Sequence, residues 1–167
     1  AMTDALTGVG SRRRFNLEGR LLYETAVRQG RTLSAAMIDV DHFKTVNDRY
    51  GHDVGDDVLR TIAREVTGGL RGTDLFARYG GEEFVVLFPD STVADAIVAC
   101  ERIRNRIAAT TLDGLDTPVT VSIGVTCEVP SPELTFDLFV AQADEAMYRS
   151  KNEGRDRVSV YGNGYNL

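Results

Sequence analysis

A chain of 167 residues with formal net charge −6 has the length of one domain, and such a domain buries about 70 % of the surface its unfolded form exposes, so it needs no staple. The acidic balance argues against the broad basic face of a duplex nucleic-acid binder, while a phosphorylated small molecule still fits, held by a few local cations or a metal. No apolar run reaches the roughly 20 residues of a membrane span and no signal sequence opens the chain, so neither nucleic acid nor membrane is an expected partner. The expected setting of this domain is the cytoplasm, whether or not a longer protein is anchored in a membrane.

In chain order, residues 11–29 pattern as an amphipathic helix with Phe15, Leu21, Leu22 and Val27 among polar neighbours. "LSAAMIDV" at 33–40 reads as a buried strand ending in acid. Two helical stretches, 42–50 and 53–70, are broken by "YGHDVGDD", with Gly51 and Gly55 as punctuation and Asp53 as a cap for the second. Residues 74–79 and 83–88 read as strands joined at Gly80-Gly81, a hairpin signal expected to need positive φ. A helix from Thr92 to about Thr110 follows, then "PVTVSIGVTCEV" at 118–129 as a half-buried strand, a helix over 135–151 and a last strand, "DRVSVY", at 156–161. Cys100 and Cys127 lie far apart in an apolar helix and an apolar strand, outside any CxxC or Cys/His cluster, and read as buried structural thiols in a reducing compartment.

Strands that alternate with helices but include a hairpin predict an α/β (α+β) sandwich: a mixed, mainly antiparallel sheet of about five strands flanked by helices. A Rossmann array is not indicated, since neither GxGxxG nor GxxxxGK[ST] occurs.

"IDVD" at 38–41 places Asp39 and Asp41 on one side of an extended chain. "ARYGGEEFVVLF" at 77–88 places Glu82 and Glu83 after a double glycine, where a single glutamate is ordinarily just solvated. If the strand and the hairpin are neighbours, Asp39 and Glu82 converge at one end of the sheet, and carboxylates gathered there repel unless a cation lies between them. Hard oxygen donors without His or Cys favour Mg²⁺ or Mn²⁺ over zinc, and Mg²⁺ on one or two carboxylates completes its shell with water and substrate phosphates. A nucleotide is the ligand this chemistry points to. Gly80 and Gly81, lacking a Cβ, let a bulky ligand lie close over the turn. Two ions bridging a triphosphate lower the charge of a leaving pyrophosphate and help deprotonate an attacking hydroxyl.

Five blocks stand in one order along the chain: "DALTG" (4–8), "IDVDHFKTVNDRYGHDVGDDVLR" (38–60), "RGTDLFARYGGEEF" (71–84), "VSIGV" (121–125) and "ADEAMYRSKNEGRDRV" (143–158). With them the sequence resembles the GGDEF family of diguanylate cyclases over nearly its whole length, in the variant GGEEF, Gly80 to Phe84. A lone GGEEF is a weak signal; five co-linear blocks are a strong one. The resemblance implies the nucleotidyl cyclase and polymerase palm fold, with residues 1–167 as a single catalytic domain. The abrupt start at "AMTDALTG" suggests a domain excised from a longer sensor protein, with Ala1 and Met2 foreign to it and a sensory or receiver domain upstream.

The activity implied is condensation of two GTP into cyclic di-GMP and two pyrophosphates by a face-to-face homodimer, with two Mg²⁺ (or Mn²⁺) ions per active site. Carried over by motif position, Asp39 and Glu82 are the metal carboxylates and the main-chain carbonyl of Val40 a further ligand. Glu82 doubles as base or ion polariser, and Glu83 supports the same site. Lys44, Lys151 and Arg155 meet the β- and γ-phosphates, with backbone N–H groups around His42 and Phe43. Lys151 and Arg155, spaced i, i+4, share a face if the helix extends so far. Asn47 and Asp56 grip guanine, whose N1–H and amine suit a carboxylate. Arg71 and Asp74 form an RxxD six positions before Gly80, the implied product-inhibition site, and Arg102 matches an arginine that closes it across a partner domain.

Alone, each of these cations is an ordinary surface charge, Asn47 a helix-surface residue and His52 a turn stabiliser; their co-occurrence carries the reading. "LTGVGSRRRF" departs from the family's LTGLPNRR at Val9, Gly10 and Ser11, in a loop near the nucleotide pocket. Two alternatives remain at this level. A non-catalytic module binding GTP or cyclic di-GMP would be marked by loss of Asp39, Lys44 or Glu82, and none is lost; a cyclase making another cyclic dinucleotide is disfavoured by Asn47 and Asp56.

Overall fold

Eight consecutive residues, Leu33–Val40, are buried in the computed structural model, which describes residues 1–162. A strand buried on both faces must lie inside a sheet covered on both sides, and this one does. The elements run α1 (Arg12–Gln29), β1 (Leu33–Val40), α2 (Phe43–Tyr50), α3 (His52–Gly68), β2 (Leu75–Arg78), β3 (Glu83–Pro89), α4 (Val93–Ala108), β4 (Val121–Glu128), α5 (Phe136–Asn152) and β5 (Arg157–Val160). They form a five-stranded sheet in the order β2-β3-β1-β4-β5. All pairings are antiparallel except β4 with β5, which is the mixed, mainly antiparallel sandwich expected from the sequence. Positions 163–167 of the expected domain lie outside the described residues.

Alternate residues of β1 enter separate cores. Ala36, Ile38 and Val40 pack with α2, α3 and α4 around Phe84, Ile62 and Ile103. Ala35 and Met37 pack with α1 and α5 around Phe15, Phe139 and Leu87. On the second side α5 lies directly on β4: a Cβ at Gly124 would stand 2.0 Å from the Met147 backbone nitrogen and 2.2 Å from the Ala143 oxygen. Only glycine permits that approach, and it fixes the height of α5, whose last turn carries Lys151.

Several local expectations give way to tertiary structure. β4 is buried over its first six residues and is not half-buried, because it lies between β1 and β5 with α5 upon it. α1 buries Phe15, Gly19, Tyr23 and Ala26, while Leu21 is exposed. α3 starts at His52 behind Gly51, with no side-chain cap from Asp53. The β2–β3 connection is a loop of residues 79–82 in which neither Gly80 nor Gly81 takes positive φ. The N–H groups of Tyr79 and Gly80 instead both donate to the Glu83 carbonyl, at 2.7 and 3.1 Å, and this wider turn does not demand the left-handed residues of a two-residue hairpin. Cys100 is fully buried, whereas Cys127 near the end of β4 is only half-buried. Among the described residues no helix is long and apolar enough to cross a membrane.

Candidate active site

The antiparallel register of β1 and β3 sets Asp39 opposite Glu83, and the Val40 N–H donates to the Glu82 carbonyl at 3.2 Å. Backbone pairing alone therefore gathers Asp39, Glu82 and Glu83 at one end of the sheet. From the last turn of α5, Lys151 places its Nζ 2.7 Å from Asp39 Oδ2, and the aspartate is nearly buried. Burial outweighs this lysine and holds the Asp39 carboxyl above its ordinary range. Glu82 and Glu83 are also raised, first by burial and then by the negative charge of Asp39, with Asp144 adding to Glu83. Burial acts to lower Lys151, but its hydrogen bond with Asp39 and the charges of the two glutamates prevail, and its ammonium is raised.

Three crowded carboxylates thus share one ammonium, and the excess negative charge is of the kind a divalent cation relieves. The donors are hard oxygens, which suit Mg²⁺ or Mn²⁺. Among the described residues no group of three or more His, Cys, Asp and Glu side chains forms a ready-made cage. The fit is therefore to an ion held by one or two carboxylates, with water and ligand oxygens completing its shell. Asp39, Glu82 and the Val40 carbonyl at the end of β1 are the groups placed to hold it.

Asp41 adds its negative charge to those that raise Asp39, but its oxygens are bonded elsewhere. Its Oδ1 accepts from the Ser122 hydroxyl at 2.6 Å, and its Oδ2 accepts from the Thr120 hydroxyl at 2.7 Å and the Asp156 N–H at 3.0 Å. Strand periodicity placed it on the right side; its partners decide its role.

The cations divide. Arg155 does not share a helix face with Lys151, because α5 ends at Asn152 and Gly154, Arg155 and Asp156 take φ of 124°, 64° and 46°. Its positive charge still acts on Asp39. Lys44 is highly exposed and pairs with Asp48 of its own helix at 2.8 Å. His42 takes φ 56° where β1 gives way to α2, and Phe43 behind it is buried. Asn47 reaches from α2 onto the first turn of α3, where a Cβ at Gly55 would lie 1.9 Å from its Oδ1. Asp56 is the next residue, and both side chains are half-buried.

Sequence reasoning missed Arg78. Its guanidinium donates to the Gly81 carbonyl at 2.6 and 3.1 Å and pairs with Asp4 at 3.4 Å, bracing the glycine loop against the N-terminal segment. The signal was an arginine two residues before a double glycine, whose carbonyls need donors.

Arg71 and Asp74 are also brought together, and they close on each other. Asp74 accepts from the Arg71 backbone N–H at 2.8 Å and from its guanidinium at 3.2 Å, while that guanidinium also reaches the Pro89 carbonyl and the Ser91 hydroxyl. Arg102 donates to the Gly69 carbonyl of its own domain at 2.8 Å.

Fold and site together define a palm-type nucleotidyl cyclase domain. The family described as diguanylate cyclase, GGDEF domain, matches residues 1–157, and the chain belongs to that family. It is 41 % identical over 162 residues to the response regulator PleD of Caulobacter vibrioides, a match covering 95 % of this chain and 36 % of that protein. The chain thus spans about a third of that relative's length. Among solved structures, the GGDEF domain of DgcB from Caulobacter crescentus in complex with c-di-GMP superposes with TM-score 0.90 at 33 % identity, over 95 % of this chain and 92 % of that one. The active GGEEF domain of a diguanylate cyclase from Vibrio cholerae gives TM-score 0.86 at 29 % identity, over 92 % and 98 %.

Proposed function

We propose that the domain condenses two GTP molecules into cyclic di-GMP, each 3′-hydroxyl attacking the α-phosphorus of the other nucleotide as pyrophosphate leaves. The observation that carries this reading is the convergence of Asp39, Glu82 and Glu83, all held above their ordinary carboxylate range, around a single lysine. Bound Mg²⁺ or Mn²⁺, two ions in the full reading, would lower the charge of the polyphosphate and acidify the attacking hydroxyl. Asp39, Glu82 and the Val40 carbonyl are the groups that would hold them.

In the free protein Lys151 serves as the counter-charge of Asp39. A cation held by Asp39 would take over that role and leave the ammonium to meet the β- and γ-phosphates beside Arg155, with Lys44 and the N–H groups at His42 and Phe43 on the same side from α2. Glu82 receives the proton of the hydroxyl, and its raised pKa suits that task. Glu83, close to Asp39 and Asp144, keeps Glu82 in this carboxylate field. Asn47 and Asp56 select guanine through N1–H and the exocyclic amine, and the open backbone at Gly80 and Gly81 lets the nucleotide cross the loop.

Because each nucleotide is attacked by the one opposite, one domain carries half of the reacting set and a homodimer is required. Cyclic di-GMP then inhibits at Arg71 and Asp74, with Arg102 from one domain or the other, by displacing their mutual hydrogen bonds with guanine and phosphate.

The test is product formation from GTP with Mg²⁺ by wild type and Glu82→Gln, after bound nucleotide is stripped, across a range of protein concentrations. Cyclic di-GMP from wild type alone, rising faster than linearly with protein, supports the reading. Binding of GTP or cyclic di-GMP without turnover at any concentration makes the domain a binding module, and a different dinucleotide product corrects the substrate.

A further inference from the structure

The α5–β5 loop that carries Arg155 is held in an unfavourable shape. Gly154, Arg155 and Asp156 take positive φ in succession, and left-handed backbone is disfavoured for residues with a Cβ. Such geometry persists only where surrounding bonds over-determine it, and here they do so from three sides. The Arg155 N–H donates to the Ser150 carbonyl at 2.9 Å, and the Asp156 N–H donates to Asp41 Oδ2 at 3.0 Å. The Asp156 carboxylate in turn accepts from Arg104 of α4 at 2.8 Å, and Arg104 is steadied by Glu101 at 2.7 Å. Asp41 is nearly buried and is itself fixed by the hydroxyls of Thr120 and Ser122. The Arg155 guanidinium, by contrast, makes no salt bridge among the described residues, although its charge acts on Asp39.

We propose that Asp41 and Arg104 are positioning residues: they clasp Asp156 from the sheet and from α4, and so hold Arg155 with its guanidinium free and aimed at the substrate polyphosphate. Asp41 touches no reacting atom in this account. It acts through the loop, and both of its oxygens are already committed to hydroxyl and amide donors. The inference rests on the phosphate site proposed above, and it adds two residues and a loop conformation to that site.

The alternative use of a buried aspartate two residues after Asp39 is ion coordination, and substitution separates the two. In Asp41→Asn the amide oxygen can still accept from the Asp156 N–H, while the amide NH₂ donates to the Ser122 hydroxyl, which turns to accept. A hydrogen-bonding role therefore survives in Asp41→Asn and is lost in Asp41→Ala; an ion-ligand role suffers in both.

The experiment measures affinity for a non-hydrolysable GTP analogue with Mg²⁺ by calorimetry, together with amide hydrogen exchange at Asp156. Asp41→Ala and Arg104→Met are expected to weaken the analogue about tenfold, the scale of one charge-assisted phosphate contact, and Asp41→Ala to speed exchange at Asp156. Asp41→Asn stays within about twofold of wild type on both readouts. In an Arg155→Ala background the substitutions cause no further loss, because a residue acting through Arg155 has nothing left to position. Equal losses in both backgrounds overturn the proposal, as does Asp41→Asn falling as far as Asp41→Ala. If Asp41→Ala fails to fold, Arg104→Met, on α4 and outside the sheet, decides by the same cycle. A wild type that binds no GTP analogue overturns the phosphate site and this role with it, whereas a wild type that binds it no more tightly than Asp41→Ala and Arg104→Met overturns the clasp alone.

Discussion

At the end of β1, Asp39 meets Lys151 while Glu82 and Glu83, felt by that lysine only through space, keep raised pKa values and form no salt bridge among the described residues. At the turn before β2, Asp74 meets Arg71, and the buried carboxylate is satisfied by that residue's N–H and guanidinium while the guanidinium also reaches Pro89 and Ser91. Both regions set a basic residue against a buried carboxylate, yet their charge balance differs. The first holds more negative charge than its neighbours neutralise, so an incoming cation relieves an existing cost. The second is balanced in charge, its carboxylate already bonded to Arg71, so a ligand that takes both groups must replace bonds already made. A site that wants a ligand for its own stability and one that trades bonds for it should respond differently to the same perturbations.

The largest separation is expected from Asp39→Asn, which lowers turnover on the order of 10³-fold while affinity for cyclic di-GMP at the Arg71 turn, measured by calorimetry, is unchanged. Comparable damage to both sites would break the comparison. Next comes Gly124→Ala: its Cβ would meet Met147 and Ala143 backbone within 2.2 Å, and chemical denaturation should show a loss of about 3 kcal/mol. Because α5 carries Lys151, turnover falls as well, while the Arg71 turn keeps its ligand. Arg71→Ala acts in the opposite sense, raising the inhibitory concentration of cyclic di-GMP about tenfold and leaving uninhibited initial rates within about twofold.

A pH series sharpens the first half of the comparison. Glu82 binds its proton more tightly in the folded protein than its ordinary value of 4.5, so its ionised form costs stability, and that cost appears as pH rises from 4.5 through the raised folded value. Glu82→Gln should therefore melt above wild type at pH 7 in the absence of divalent ions, and the difference should vanish on acidification through the ordinary range. The smallest effect is a control remote from both regions. Ser11 accepts from the Arg14 N–H at 3.1 Å to cap α1, and Ser11→Ala should cost about 1 kcal/mol with turnover and inhibition both intact.

Much of this contrast was legible before any coordinates. The apolar run of β1, its terminal acids and the double glycine of the next hairpin placed Asp39 and Glu82 at one sheet end, and the RxxD spacing paired Arg71 with Asp74. What was not legible depended on how elements dock. Period two told which side of the strand Asp41 occupies, but not that Thr120, Ser122 and Asp156 would take its oxygens. The i, i+4 spacing of Lys151 and Arg155 promised one helix face, yet Gly154 already carried the warning, since a glycine at that point readily adopts the positive φ that follows a helix end. Lys151 finds Asp39 only because Gly124 lets α5 settle onto β4, a contact no local pattern announces. The exposed pairing of Lys44 with Asp48 is likewise a property of the free protein, and sequence position alone cannot distinguish it from a phosphate contact.

The central claim is that the carboxylates at the end of β1 and before β3 are a divalent-cation site completed by a nucleoside triphosphate. Its most direct test is Mn²⁺ binding followed by electron paramagnetic resonance, with and without a non-hydrolysable GTP analogue, in wild type and Asp39→Asn. The account predicts that wild type takes up Mn²⁺ weakly alone and much more tightly with the analogue, and that Asp39→Asn loses this gain while still melting cooperatively. Equal Mn²⁺ uptake by the two proteins with the analogue present would contradict it.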